Sequence, residues 1–294
     1  MKAVSLFKFT KDSEFKIKEM LQEDTLTQHK FSPCGDLDKR KMGFVKNVTS
    51  DTFVDEIHVE GNSFHVMTIR EQKKNPEKYL IDEYVASKKV QYLAETDGKE
   101  PEKAVIKEWK DEGTDLYLRT THPKKPVDFK VMVRNDGVVF VEAKGAQSES
   151  LLALVRKAVG TFPVIPFVED FTAVSDYLDH LVIKSVSDEL TLGNQVELID
   201  AEEIKHSITK GSVYESDAAS YVEDGMIVSK LALTHDGVVS FVLDETLLFD
   251  KISFDKELTD GEGNEAGDFF IKLDEFNKAV KLIVSRTVEK PTDK

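Results

Sequence analysis

The sequence predicts a mixed fold of strands and helices, and three observations predict it. Asp136-Gly137 and Asp236-Gly237 each lie between short apolar runs, as hairpin turns do. After Ser148, apolar residues recur at helical spacing up to Gly160. Ala3 to Phe9 alternates like a strand, Val4 and Leu6 against Ser5 and Phe7, with one face covered more than the other.

The remaining elements follow in order. A helix is predicted from about Asp12 to Gln28, capped by Asp12 or Ser13, with Phe15, Met20 and Leu21 in its stripe. Residues 33–43 read as a turn-rich connector holding Lys39-Arg40-Lys41. Residues 52–59 and 63–70 form a hairpin around Glu60-Gly61-Asn62. Pro76 opens a helix with Tyr79, Leu80, Tyr84, Val85 and Leu93 as apolar positions, and a second helix runs from Pro101 to Trp109. Between Lys73 and Lys125 the chain is highly charged and poor in aliphatics, which suits a projecting arm with little core to fill. Strands at 128–133 and 138–141 flank Arg134-Asn135-Asp136-Gly137. The helix after Ser148 buries Leu151, Leu152, Val155 and Ala158, exposes Arg156 and Lys157, and stops at Gly160. Strands at 228–234, 238–243 and 247–254 come next, and a helix at 273–286 turns Phe276, Val280 and Ile283 or Val284 inward. The tail, 289–294, is expected to be disordered. The acidic loop 261–267 offers oxygens, but their spacing does not match a twelve-residue calcium loop. The chain thus divides into an N-terminal region (1–72), a charged helical arm (73–125), a hairpin with central helix (126–168) and an acidic C-terminal domain (169–294).

Composition sets the bounds on function. At 294 residues, 40% hydrophobic and 32% charged, the chain can fill a sizeable core. No apolar run approaches the ~20 residues that span a bilayer, and Lys8 follows Met1 too soon for a signal peptide, so a cytoplasmic protein without membrane partners is expected. The single cysteine, Cys34, excludes an internal disulfide and sits between Pro33 and Gly35 as a packed turn residue. Net charge is −15, unevenly spread. Residues 1–160 hold 28 Lys and Arg against 27 Asp and Glu, a balance of +1, whereas residues 161–294 hold 12 against 28, a balance of −16. Binding a polyphosphate needs a local positive surface rather than a positive total. Lys39-Arg40-Lys41, Lys73-Lys74, Lys88-Lys89, Lys124-Lys125 and Arg156-Lys157 are the candidates.

One arrangement has the form of a catalytic site. Asp128 precedes a hairpin that ends in Glu142-Ala143-Lys144, and strand alternation sets Glu142 and Lys144 on one face. Two such carboxylates would hold Mg²⁺ while the lysine activates water against a phosphodiester. No Gly-rich phosphate loop, His-Glu-x-x-His or Gly-x-Ser-x-Gly motif accompanies it, and the seven histidines are scattered. No cofactor is expected.

Several blocks carry a family resemblance by their order and spacing. They are Phe31-Ser32-Pro33-Cys34-Gly35 closed by Lys41-Met42-Gly43-Phe44, the run from Leu151 through Arg156-Lys157 to Pro166, and Gly225 to Leu233 with related stretches at 216–223 and 254–258. Together they resemble the bacterial recombination-associated RdgC family along the whole chain. The resemblance implies an α+β, horseshoe-shaped subunit of mixed strands and helices that pairs into a ring-shaped homodimer. It implies sequence-nonspecific binding of double-stranded DNA, association with the nucleoid, and restraint of RecA-type recombination, the recombinase being met indirectly through shared DNA. Lys39, Arg40, Lys41, Arg156 and Lys157 fall in matched blocks, and Lys210 falls on a basic residue of a ring-contact stretch whose neighbours are changed to Thr209 and Gly211. The family's ring-closing Leu-Leu-Pro-Arg-Ala-Phe segment is not preserved, and only Tyr117 and Arg119 substitute for it as dimer contacts. The position matching Glu142 is acidic in the family without a lysine two places on, which favours a surface hairpin over a nuclease. The expected DNA-contacting set is therefore Lys39, Arg40, Lys41, Lys73, Lys74, Lys88, Lys89, Arg156, Lys157 and Lys210. The alternatives are a Mg²⁺-dependent nuclease using Asp128, Glu142 and Lys144, and a protein-interaction factor acting through its acidic C-terminal half.

Overall fold

The computed structural model describes all residues except 11–19, 185–188, 210, 260–264 and 289–294. In chain order the elements are β1 (Val4–Phe9), α1 (Glu23–Thr27), β2 (Arg40–Val45), β3 (Val54–Val59), β4 (Asn62–Lys73), α2 (Lys78–Glu95), α3 (Lys103–Thr120), β5 (Val127–Arg134), β6 (Val138–Val141), α4 (Ala146–Val159) and β7 (Val164–Pro166). There follow α5 (Thr172–Lys184), β8 (Leu190–Ile199), β9 (Lys205–Ile208), α6 (Ala218–Glu223), β10 (Ile227–His235), β11 (Val239–Asp244), β12 (Leu248–Phe254) and α7 (Glu265–Thr287). The chain forms two compact units. The first comprises Met1–Gln28, Lys46–Thr68 and Lys130–Lys294, and the second His29–Val45 and Ile69–Phe129. The units interleave in sequence, because β4 and β5 each begin in one and end in the other.

The first unit is built on a large antiparallel sheet in the order β4-β5-β6-β1-β12-β11-β10-β8-β9, with β3 paired to β4 and β7 to β1. Turn residues at positive φ set two of its hairpins. Val59 pairs with Asn62, so Glu60 and Gly61 make the connection at φ +39° and +74°. His235 pairs with Val239, so three residues join β10 to β11, the first two of them, Asp236 and Gly237, at φ +48° and +71°. The core lies between the sheet and helices α5 and α7. Phe276 of α7 is fully buried at its centre, edge-on to Phe140 of β6 and Phe249 of β12, and Phe140 in turn meets Phe64 of β4. Both faces of strand β1 are covered, that of Val4 and Leu6 more fully than that of Ser5 and Phe9, as expected. Val4 and Leu6 enter this core, while Ser5 on the other face meets Ser148 of α4, whose Leu151, Leu152 and Val155 are buried. Of the helix expected from Asp12 to Gln28, residues 11–19 lie outside the described residues; Met20 is helical, Leu21 and Gln22 are not, and α1 follows. Its Glu23 carboxylate accepts from the Phe53 amide at 2.9 Å.

The second unit holds β2, the outer ends of β4 and β5, and the α2–α3 hairpin. β2 corrects the connector expected over residues 33–43, since its strand begins at Arg40. Gly43 is needed there: a Cβ would lie 2.4 Å from the Phe31 Cα. Helix α3 runs eleven residues past the expected end at Trp109, to Thr120. Gly113, a stop signal by composition, sits inside it because the Tyr84 ring of α2 packs where a Cβ would be, 2.9 Å away. In the C-terminal region, α7 starts at Glu265, before the expected Leu273, so part of the loop 261–267 is helical, while residues 260–264 and the tail 289–294 lie outside the described residues.

Candidate nucleic-acid interface

The division of charge follows the two units. The second carries 17 Lys and Arg against 15 Asp and Glu, a formal +2, and the first 23 against 40, a formal −17. Cations that can meet phosphate are therefore sought first in the second unit.

At β2 the basic triplet is largely engaged. Arg40 and Lys73 share the buried carboxylate of Glu71, Lys73 at 2.9 Å. Lys41 pairs with Asp38 at 3.3 Å, and the Gly35 amide that donates to Asp38 holds its carboxyl below the usual range, with Lys41 adding to the effect against a small desolvation penalty. Lys39 is exposed. Lys74 corrects the expectation of a phosphate-facing cation. It is 5% exposed, and its ammonium donates to the Leu118 and Asp36 carbonyls at 3.1 and 3.3 Å. An ammonium with two buried carbonyl partners serves as an internal tie. Cys34 is tied likewise, its amide donating to Gln72 Oε1 at 2.9 Å and its thiol to the Gln72 carbonyl.

On the helical hairpin, Lys88 is a strut between the helices and Lys89 ties α2 to the loop that joins it to α3. Lys88 reaches Glu112 at 3.1 Å and lies over the Tyr84 ring, and Lys89 reaches Glu100 at 2.7 Å. The Glu112 hydrogen bond holds the Lys88 ammonium above its ordinary pKa. Lysines that sequence reading passed over differ in this respect. Lys103, Lys107 and Lys110 of α3 are exposed, and none is ion-paired with a described carboxylate. Their signal was the spacing i, i+4, i+7, hidden because adjacent basic pairs draw the eye first. Tyr117, half-buried, and Arg119, exposed, lie within the last turns of the same helix. In the first unit Arg156 and Lys157 are exposed in the last turn of α4, where they complement the helix dipole, again with no described carboxylate paired to them. Lys210 lies outside the described residues.

The three residues of the nuclease reading each have a partner of their own. In the second unit Arg70 grips Asp128 with two hydrogen bonds, of 2.7 and 2.8 Å, and this pairing raises the Arg70 pKa. In the first unit Glu142 holds the Met1 α-ammonium at 2.9 Å, and Lys144 holds Asp250 at 2.7 Å. β6 ends at Val141, so strand alternation does not extend to Glu142 and Lys144, which corrects the placement expected from the sequence. Ala143 instead closes a tight turn onto the Val141 carbonyl at 2.7 Å. Among the described residues no three His, Cys, Asp or Glu side chains converge as metal ligands. No described helix is long and apolar enough to cross a membrane.

These elements define an α+β protein built on a large antiparallel sheet. The chain belongs to the RdgC family, whose sequence model, described as "Putative exonuclease, RdgC", matches residues 1–285. The recombination-associated protein RdgC of Shewanella piezotolerans is 26% identical over 278 residues, 90% of this chain and 88% of that protein. Its namesake from Pseudoalteromonas atlantica is 25% identical over 242 residues, covering 81% and 78%, and that of Salmonella newport 25% over 283, covering 93% and 90%.

Proposed function

We propose that this protein binds double-stranded DNA without sequence preference, as a homodimer of horseshoe-shaped subunits closed into a ring, and restrains RecA-type recombination by occupying DNA. The observation that carries the reading is the separation of charge in a chain whose relatives are named recombination-associated. The second unit keeps exposed cations in a chain of net charge −15, and the acidic first unit keeps the whole soluble while offering DNA fewer cations than carboxylates, Arg156 and Lys157 among those cations. Lysine heads are point charges suited to phosphate rather than to base edges, so the binding follows the backbone. Lys39, Arg40, Lys41, Lys73, Lys88, Lys89, Arg156 and Lys157 remain the expected contacts, and surface ion pairs such as that of Lys41 exchange readily for phosphate. Tyr117 and Arg119 are the proposed closing contacts of the ring. The protein is expected in the cytoplasm on the nucleoid.

Gel shifts with linear and closed circular duplex across a salt series, in EDTA or Mg²⁺, test the proposal. Sequence-indifferent binding of intact DNA that weakens steeply with salt supports it, and longer retention on circles supports a closed ring. The word exonuclease in the family description keeps one rival in view: Mg²⁺-dependent loss of DNA would move Asp128, Glu142 and Lys144 to the centre. Absence of binding at low salt would leave the acidic surface as a protein-docking face.

A further inference from the structure

We infer that one face of α3 is a phosphate track, with Lys103, Lys107 and Lys110 as three successive contacts to one DNA strand. The inference rests on duplex binding as proposed above and names the residues through which the helical hairpin takes part in it. At about 100° per residue, positions 103, 107, 110, 114 and 117 fall within about 40° of a common line along the helix. That line carries three lysines, Thr114 and Tyr117, and no carboxylate. One flank of the helix, from about 80° to 180° off that line, is occupied: Gly113 and Trp109 are buried, Trp109 against Tyr92 of α2, and Glu112 is engaged by Lys88 and Tyr84.

The contrast within the hairpin is what points to a polyanion. Lys88 and Lys89 are neutralised by Glu112 and Glu100, so the first holds α2 to α3 and the second holds α2 to the loop between them. The three α3 lysines face solvent with no ion-pair partner among the described residues, although Asp111 stands one turn from Lys107 at a spacing that would allow a pair. Lys103 and Lys110 are separated by about 10.5 Å of helix rise, which matches about three phosphates of one strand at about 3.4 Å of axial advance each. A rigid helix presents the charges at fixed spacing and so gains more from a regular phosphate row than three lysines on separate loops.

The test compares the wild-type protein with the triple variant K103Q/K107Q/K110Q and a charge-matched control, K2Q/K184Q/K256Q, whose lysines are also exposed and without described carboxylate partners. Affinity for a duplex is measured between 50 and 200 mM salt, with circular dichroism melting to check that each variant folds. Each lost phosphate contact lowers the slope of log affinity against log salt by about 0.9. The track variant should lose about 2.7 from the slope, so its affinity falls on the order of 40-fold less over that salt range, and the control should keep the wild-type slope. The single variant K107Q should lose about 0.9. An unchanged slope in the track variant, with the wild type still binding, overturns the inference and leaves the proposed function standing. A wild type that fails to bind duplex at low salt overturns both. A track variant whose sedimentation mass falls instead would assign the row to carboxylates of a second copy and overturn the phosphate track.

Discussion

Lys74 and Arg134 are cations that the fold takes out of solvent, and each is satisfied in a different way. Lys74 has only carbonyl oxygens on its ammonium, so Lys74→Met leaves the buried Leu118 carbonyl without its donor. A loss of about 1–3 kcal/mol in urea denaturation is expected, with the salt slope of DNA binding unchanged; a stable variant with a reduced slope would return Lys74 to the DNA-contacting set. Arg134 instead donates to Asn277 at 2.9 Å and grips Asp136 at 2.7 Å, locking the β5–β6 turn to α7. Burial pushes the Asp136 carboxyl up, but the Arg134 hydrogen bonds and charge, with the Val138 amide, hold it below its ordinary 3.8. A carboxyl depressed in the folded state stabilises fully above its unfolded pKa and loses that contribution as pH falls through the folded value. The stability gap between wild type and Asp136→Asn should therefore be constant from neutral pH down to about 5 and shrink below about 4, in thermal melts across that range.

Among the elements, the α2–α3 hairpin is thinly anchored on its α2 side. No α2 residue is buried, and the hairpin depends on Tyr84 against Gly113, Tyr92 against Trp109 and the Lys88 and Lys89 pairs. Gly113→Val forces the Tyr84 ring to move while Glu112 holds its hydroxyl at 3.0 Å, a loss of about 1–3 kcal/mol in the hairpin. Hydrogen exchange should accelerate over residues 78–120 and stay unchanged in β1 and β6, which lie in the core. Uniform acceleration would mean that the hairpin unfolds only with the rest. Element legibility differed for physical reasons. The hairpins at Asp136-Gly137 and Asp236-Gly237 were readable because a positive φ restricts residue choice locally. α5 was also readable, with Val174, Leu178, Leu181 and Val182 buried at helical spacing, yet it went unassigned. β2 was not, because its glycine answers to Phe31, a neighbour twelve residues away.

For the whole molecule, the charge separation and the proposed dimer carry the functional expectation. Sedimentation should give twice the mass of one chain. If Tyr117 and Arg119 close a ring, Tyr117→Ala with Arg119→Ala should bring retention on closed circles down to that on linear duplex while leaving the salt slope unchanged; an undiminished preference for circles would assign closure to other residues.

Family, α+β class, hairpin positions and uneven charge are all legible in the chain of residues, because each is written in local order or in composition. What each cation does was settled by folding. Lys74 became an internal tie, Lys88 a strut between helices and Lys89 a tie to their loop, and Lys103, Lys107 and Lys110 were left facing solvent. The reason is that a charge is neutralised by whatever the fold brings within a few ångströms, and Glu71, Glu100, Glu112 and the Leu118 carbonyl reach their lysines from 2 to 44 residues away along the chain.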